Sequence, residues 1–164
     1  SFRRNLNLYV ISEARNGTLI ETNNTIKQNL RIWLNRNKMI NDTVDILDVR
    51  VLNIEIQFDA IADQSANKHD ALNESIAALQ FEFRNHFDVG EPLYFNRIYN
   101  ALKRVNKISD VIDVRVEQKH GGRYSDMTLD LNSYISPDNR YLAVPENVIL
   151  EIKFSGEDIK GTIK

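Results

Sequence analysis

The sequence predicts an α+β domain: a mixed sheet with amphipathic helices on one face, built from two related helix-to-strand units. Three observations carry that prediction. Apolar residues recur at helical spacing in some segments and at period two in others. The segments run in the order β-α-β(β)-α-α-β-β-β, a pattern of runs that favours helices segregated to one side of a sheet. The tetrapeptide Asp48-Val49-Arg50-Val51 also returns as Asp113-Val114-Arg115-Val116, each copy following an amphipathic helix and an Asn-Lys pair, Asn37-Lys38 and Asn106-Lys107.

Taken in order, Leu6, Leu8 and Val10 alternate with polar neighbours and read as a short strand. Residues 15–18, Arg-Asn-Gly-Thr, form a turn in which Gly17 can take positive φ. A helix is expected over 24–36, with Ile26, Leu30, Trp33 and Leu34 on one buried face and Asn23 or Asn24 as its cap. Residues 46–62 are β-rich. Leu47, Val49 and Val51 are odd-numbered, whereas Leu52, Ile54, Ile56 and Phe58 are even-numbered. A bulge or bend near Leu52-Asn53, in one long strand or between two, keeps one apolar face inward across that flip.

A second helix is expected over 69–85, with Leu72, Ile76, Leu79 and Phe83 on one side and Phe81 off that stripe, as if a second side were covered. Pro92 suits the first turn of a third helix bearing Tyr94, Ile98, Leu102 and Val105. Ile112, Val114 and Val116 then alternate as a half-buried strand, which Gly121-Gly122 breaks. Met127, Leu129 and Leu131 alternate again, followed by a turn at 136–139. A last strand carries Val148, Leu150, Ile152 and Phe154, and the polar residues 156–164 are expected to be an edge or a partner-bound segment. The chain thus divides into an N-terminal strand and helix (1–44), an α+β core (45–120) and a C-terminal β-rich extension (121–164).

A chain of 164 residues suffices for one core that buries roughly 70% of its unfolded surface. Its 42% hydrophobic and 27% charged residues exclude collagen and a fully disordered chain. No apolar run approaches the ~18 residues of a membrane-spanning helix, so no membrane partner is expected. With 21 basic against 23 acidic residues, the net charge of -2 lacks the basic excess of a nucleic-acid module. There is no cysteine, which removes disulfides, thiolate metal sites and cysteine nucleophiles. The chain starts Ser1-Phe2 without an initiator Met, and a piece of a longer protein is expected.

Neither a catalytic residue, a metal ligand set nor a cofactor motif is predicted. His69, His86 and His120 have no partner at metal-site spacing, and no P-loop, GxGxxG or GxSxG occurs. The scattered carboxylates fit a solvated face. Arg97, Lys103, Arg104 and Lys107 form a small basic cluster, so an RNA- or ligand-binding module stands as the alternative. The expected strands, however, lack the stacking aromatics of RNA-binding sheets. The aromatic content, from Phe2 to Phe154, serves a core or an interface equally well. Trp33, Phe81, Tyr94 and Tyr99 are the candidate interface residues, because large aromatics anchor protein contacts.

One stretch carries a family resemblance. Gly90-Glu91-Pro92, then Tyr94, Ile98, Ala101-Leu102, Val105, Ile108 and the run from Val111 to Val116, resembles the C-terminal part of the baseplate J-like family. Members of that family build the wedges of contractile-tail phage baseplates. The stretch from Tyr141 to Phe154, with Asp158-Ile159-Lys160-Gly161, resembles the end of the wedge proteins of T-even-type phages. Ser109-Asp110 departs from the Gly-Val pair that many members carry at the entry to that strand. The resemblance implies a virion protein of the tail baseplate, assembled in the bacterial cytoplasm. It implies no enzyme activity and no cofactor, with a second copy and other wedge proteins as partners.

Overall fold

A computed structural model of the chain describes residues 4–38 and 42–164; Phe2 lies outside them. The N-terminal part comprises strand β1 (Arg4–Val10), a small hairpin of β2 (Ser12–Glu13) and β3 (Leu19–Ile20), helix α1 (Asn24–Asn37) and strand β4 (Asp42–Asp48). The hairpin turns at Gly17, whose φ of 84° is the left-handed value that glycine adopts without steric cost. Asn23 caps α1 by accepting the Ile26 N–H at 2.9 Å. Strands β1 and β4 lie parallel, with Leu6 beside Val44 and Leu8 beside Ile46. This is a β-α-β unit whose sheet has those two strands among the described residues.

The remainder comprises β5 (Arg50–Ala62), α2 (Lys68–Glu82), β6 (Leu93–Tyr94), α3 (Phe95–Lys103), β7 (Ile108–Lys119), α4 (Leu131–Tyr134), β8 (Tyr141–Leu142), β9 (Val148–Glu151) and β10 (Ile159–Ile163). Strand β5 is the centre of a mixed sheet, as the α+β prediction requires. It runs antiparallel to β7 on one side. On its other side it runs parallel to β9 over its first residues and to β10 further along. Its even-numbered side chains, Leu52, Ile54, Ile56, Phe58 and Ala60, are all buried. They share the core with Ala71 and Leu79 of α2 and with Ile98 and Leu102 of α3, so the helices cover one face of the sheet. The odd-numbered positions Asn53, Glu55, Gln57 and Asp59 put polar groups on the opposite face. Both copies of the repeated tetrapeptide follow a helix: the first joins β4 to β5 after α1, and the second lies within β7 after α3.

Several elements differ from their sequence expectations, each for a tertiary reason. The break in the long β segment falls at Val49, not at Leu52-Asn53; Val49 is fully buried, and Val51 and Leu52 are both buried because β5 begins between covered faces. The third helix begins at Phe95 rather than at Pro92. Leu93 and Tyr94 pair instead with Leu142 and Tyr141, and the Phe95 N–H donates to the Arg140 carbonyl at 2.9 Å. Residues 127–131 form no strand. Side chains take up that backbone: the Gln118 amide accepts the Leu129 N–H at 2.8 Å and donates to its carbonyl at 2.6 Å, and Asn53 accepts the Ser125 N–H at 2.8 Å. By contrast, the polar C-terminal residues meet the expectation of an edge: Ile159–Ile163 form β10, an edge strand of the central sheet.

The largest correction concerns α1. Its apolar stripe was expected to be a buried face, yet no residue of the helix is buried. Leu30 and Leu34 are half-buried, whereas Ile26 and Trp33 are exposed. A single helix over two strands offers too little cover to bury both flanks of the stripe.

Candidate interaction surfaces

The first surface is built by the N-terminal unit. Lys27 pairs with Asp48 at 2.7 Å and ties α1 to the end of β4. In the same unit Leu6, Ile26, Ile32, Leu47 and Trp33 stay open to solvent, Trp33 with 59% of its surface, and the strand register puts Leu6 and Leu47 on opposite faces of the sheet. Helix α1 carries Lys27, Arg31 and Arg36 and no acidic residue. The helix thus combines uncovered large apolar side chains with basic ones.

The second surface is the polar face of the central sheet. The Glu55 side chain is 3% exposed and lies between Lys119 at 3.0 Å and Lys160 at 3.1 Å. Burial pushes its carboxyl up, but hydrogen bonds from Gln57, Lys119 and Lys160 outweigh that and hold it below the usual carboxylate range. In return, the hydrogen bond to Glu55 raises Lys119. Arg115 spans Asp59 at 3.0 Å and Asp113 at 2.6 Å, and its hydrogen bond lowers Asp59. Next to this network, Glu151 is buried without a cation, and it accepts the Leu19 N–H at 2.7 Å and the Asn53 amide at 2.9 Å. Tyr124 donates to Asp158 at 2.7 Å; its burial and that bond raise its hydroxyl. Every charge here is matched by a neighbour or a backbone donor. The network fixes how the strands of this face sit against one another.

The third surface is a cleft of about 510 Å3 along the outer edge of β7, walled by Phe95 and Tyr99 of α3 and by Leu131 and Ile135. It opens because, among the described residues, β7 pairs only with β5.

The four sequence-predicted interface residues lie on different elements. Trp33 is exposed on α1. Phe81 on α2 is 67% exposed, with the Arg84 guanidinium 4.0 Å above its ring, so the second side of α2 is uncovered. Tyr94 is half exposed and its ring lies 5.5 Å from that of Tyr141. Tyr99 lines the cleft. No aromatic contact among the described residues joins any two of them. The basic cluster is partly consumed within the chain. Arg97 pairs with Glu82 at 3.1 Å and stacks over Phe83, and Lys107 pairs with Glu74 at 2.6 Å. Among the described residues no group of three or more His, Asp or Glu could hold a metal ion, and no helix is long and apolar enough to cross a membrane. Sequence reasoning missed Leu6, Ile32 and Leu47, since period alone cannot tell a covered face from an open one. It also missed the Glu55 network, for which the run of polar odd positions in β5 was the available signal.

Comparison with protein-family models gives no match, and comparison with curated proteins gives none either.

Proposed function

We propose that the chain is a structural protein of a contractile-tail phage baseplate wedge, pairing with a second copy and joining neighbouring wedges into a ring. The observation that carries this reading is the set of large apolar side chains that the N-terminal unit leaves uncovered on its helix and on both faces of its sheet. Leu6, Ile26, Ile32, Trp33 and Leu47 gain cover only from another surface. A partner that covers these side chains and binds only the folded unit also stabilises it. The resemblance of residues 90–116 and 141–161 to baseplate wedge proteins supplies the kind of assembly. Ring assembly needs complementary surfaces and closure symmetry rather than catalysis. On this reading the chain works without a cofactor, in the virion, after assembly in the host cytoplasm.

The alternative of an RNA- or ligand-binding module gains no support from Arg97 and Lys107, whose charges are already paired. Sedimentation velocity over a wide concentration range, alone and with the other wedge proteins of a contractile tail, tests the proposal. Self-association or a wedge complex is the expected result. A chain that stays monomeric throughout and binds none of them sinks it.

A further inference from the structure

We propose that the second copy seats on the free edge of β7, in an antiparallel register centred on Val116; this rests on the self-pairing proposed above. The direction of the backbone groups comes first. The Ile56 N–H donates to the Asp158 carbonyl, and the Ala60 carbonyl accepts from Lys164, so the even-numbered groups of β5 point toward the β10 side. Its odd-numbered groups therefore point toward β7, where Gln57 faces Arg115 and Glu55 faces Glu117. It follows that the odd-numbered groups of β7 are used by β5, and those of Val114, Val116 and Gln118 point outward. None of those outward groups has a backbone partner among the described residues. The Gln118 side chain, not its backbone, holds Leu129, which leaves the edge open. An uncovered strand edge of this kind is a template for another strand.

The charges then select the strand. The regular part of the ladder runs from 113 to 119, ending at the bulge next to Asp113, and its midpoint is Val116. Along it the odd positions read Asp113, Arg115, Glu117, Lys119, alternating in sign. Two copies paired antiparallel about Val116 set Asp113 opposite the partner's Lys119 and Arg115 opposite the partner's Glu117. Every charged cross-strand pair is then of opposite sign, which stabilises a sheet. Pairing about Arg115 or Glu117 satisfies the backbone equally but sets Asp113 against Glu117, or Arg115 against Lys119, and like charges reject those registers. In the favoured register the even-numbered side chains of the incoming strand, Val114 and Val116 among them, lie on the side of the cleft that holds Tyr99, Leu131 and Ile135.

Charge-swapped copies test the register by sedimentation equilibrium, with circular dichroism checking the fold. Glu117→Lys sets Lys against Arg115 twice in each dimer, and self-association is expected to weaken about tenfold or more. Arg115→Glu does the same with Glu against Glu117. Mixing the two variants restores every opposite pair, so a heterodimer is expected where each variant alone dissociates. Val116→Pro removes an outward N–H that the fold does not use and is expected to abolish pairing while leaving the monomer folded. If the unaltered chain pairs and these variants pair equally well, the seam lies elsewhere and the β7 proposal is overturned, with self-pairing intact. If the unaltered chain never pairs, self-pairing and the seam fail together. If it stays monomeric but captures another wedge protein in a way Val116→Pro blocks, the edge takes a different strand and the second copy is excluded.

Discussion

Glu55 shows how a single side chain decides the character of the sheet's open face. Its carboxylate is out of water and is compensated by two lysines reaching from β7 and β10. Because its folded pKa lies below the ordinary 4.5, it stabilises the fold above that pH, and the contribution is lost as pH falls through the folded value. Asp59 and Glu157, both lowered chiefly by hydrogen bonds from arginines, act in the same direction. Lys119 has the opposite sign: raised above 10.5, its contribution is present below that pH and fades as pH rises through the folded value. Thermal melts are therefore expected to plateau at neutral pH and to fall as the solution is acidified below about 4.5. Glu55→Gln leaves two lysines without their carboxylate and is expected to cost about 1–3 kcal/mol in urea denaturation at neutral pH. The same variant should show a shallower acid decline, and an unchanged midpoint and slope would refute the role given to Glu55.

Among the elements, β10 and the N-terminal unit make contrasting cases. In β10, Gly161 sits in register with Phe58, whose ring lies across it where a Cβ would have to go. Gly161→Ala is expected to destabilise by about 1–3 kcal/mol through overpacking. In a Phe58→Leu background the cost should shrink, and a double-mutant cycle without coupling would contradict the contact. The N-terminal unit is bounded by exposed side chains instead. Trp33→Ser should leave the melting of the isolated chain nearly unchanged, within about 0.5 kcal/mol, yet weaken association with wedge partners. Hydrogen exchange should rank β1, α1 and β4 as the first amides to open and β5 as the last, because β5 is covered by strands on both sides and by helices on one face.

For the whole molecule, the central strand is completed only when the chain has nearly ended. Strand β5 forms early in the sequence, but its parallel neighbours β9 and β10 come from the far end. Non-local pairing of this kind slows folding, since loop closure precedes the gain. Truncation before β9 should leave the core strand with an open edge, and cooperative thermal unfolding is expected to disappear. A cooperative melt in that truncated chain would show that the extension is dispensable. The same topology joins residues 121–164 to the sheet of residues 50–119, although the sequence separates them by turns and loops.

The sequence by itself determined which segments are helices and strands wherever the period was sustained. Leu52 to Ala60, the Leu79 region and Ile98 to Leu102 are where local spacing and burial agree, because one covered face imposes one period. The alternating charges of Asp113 to Lys119 were also plain in the sequence, but their meaning was not, since it depends on which side of β7 is left unpaired. Tertiary structure alone decided the start of α3, the loss of a strand at 127–131 and the exposure of Ile26 and Trp33. In each case the deciding contact joins residues far apart in the chain, or is missing there. A local apolar pattern reports the need for cover, and only the assembled fold reports whether the chain itself provides it.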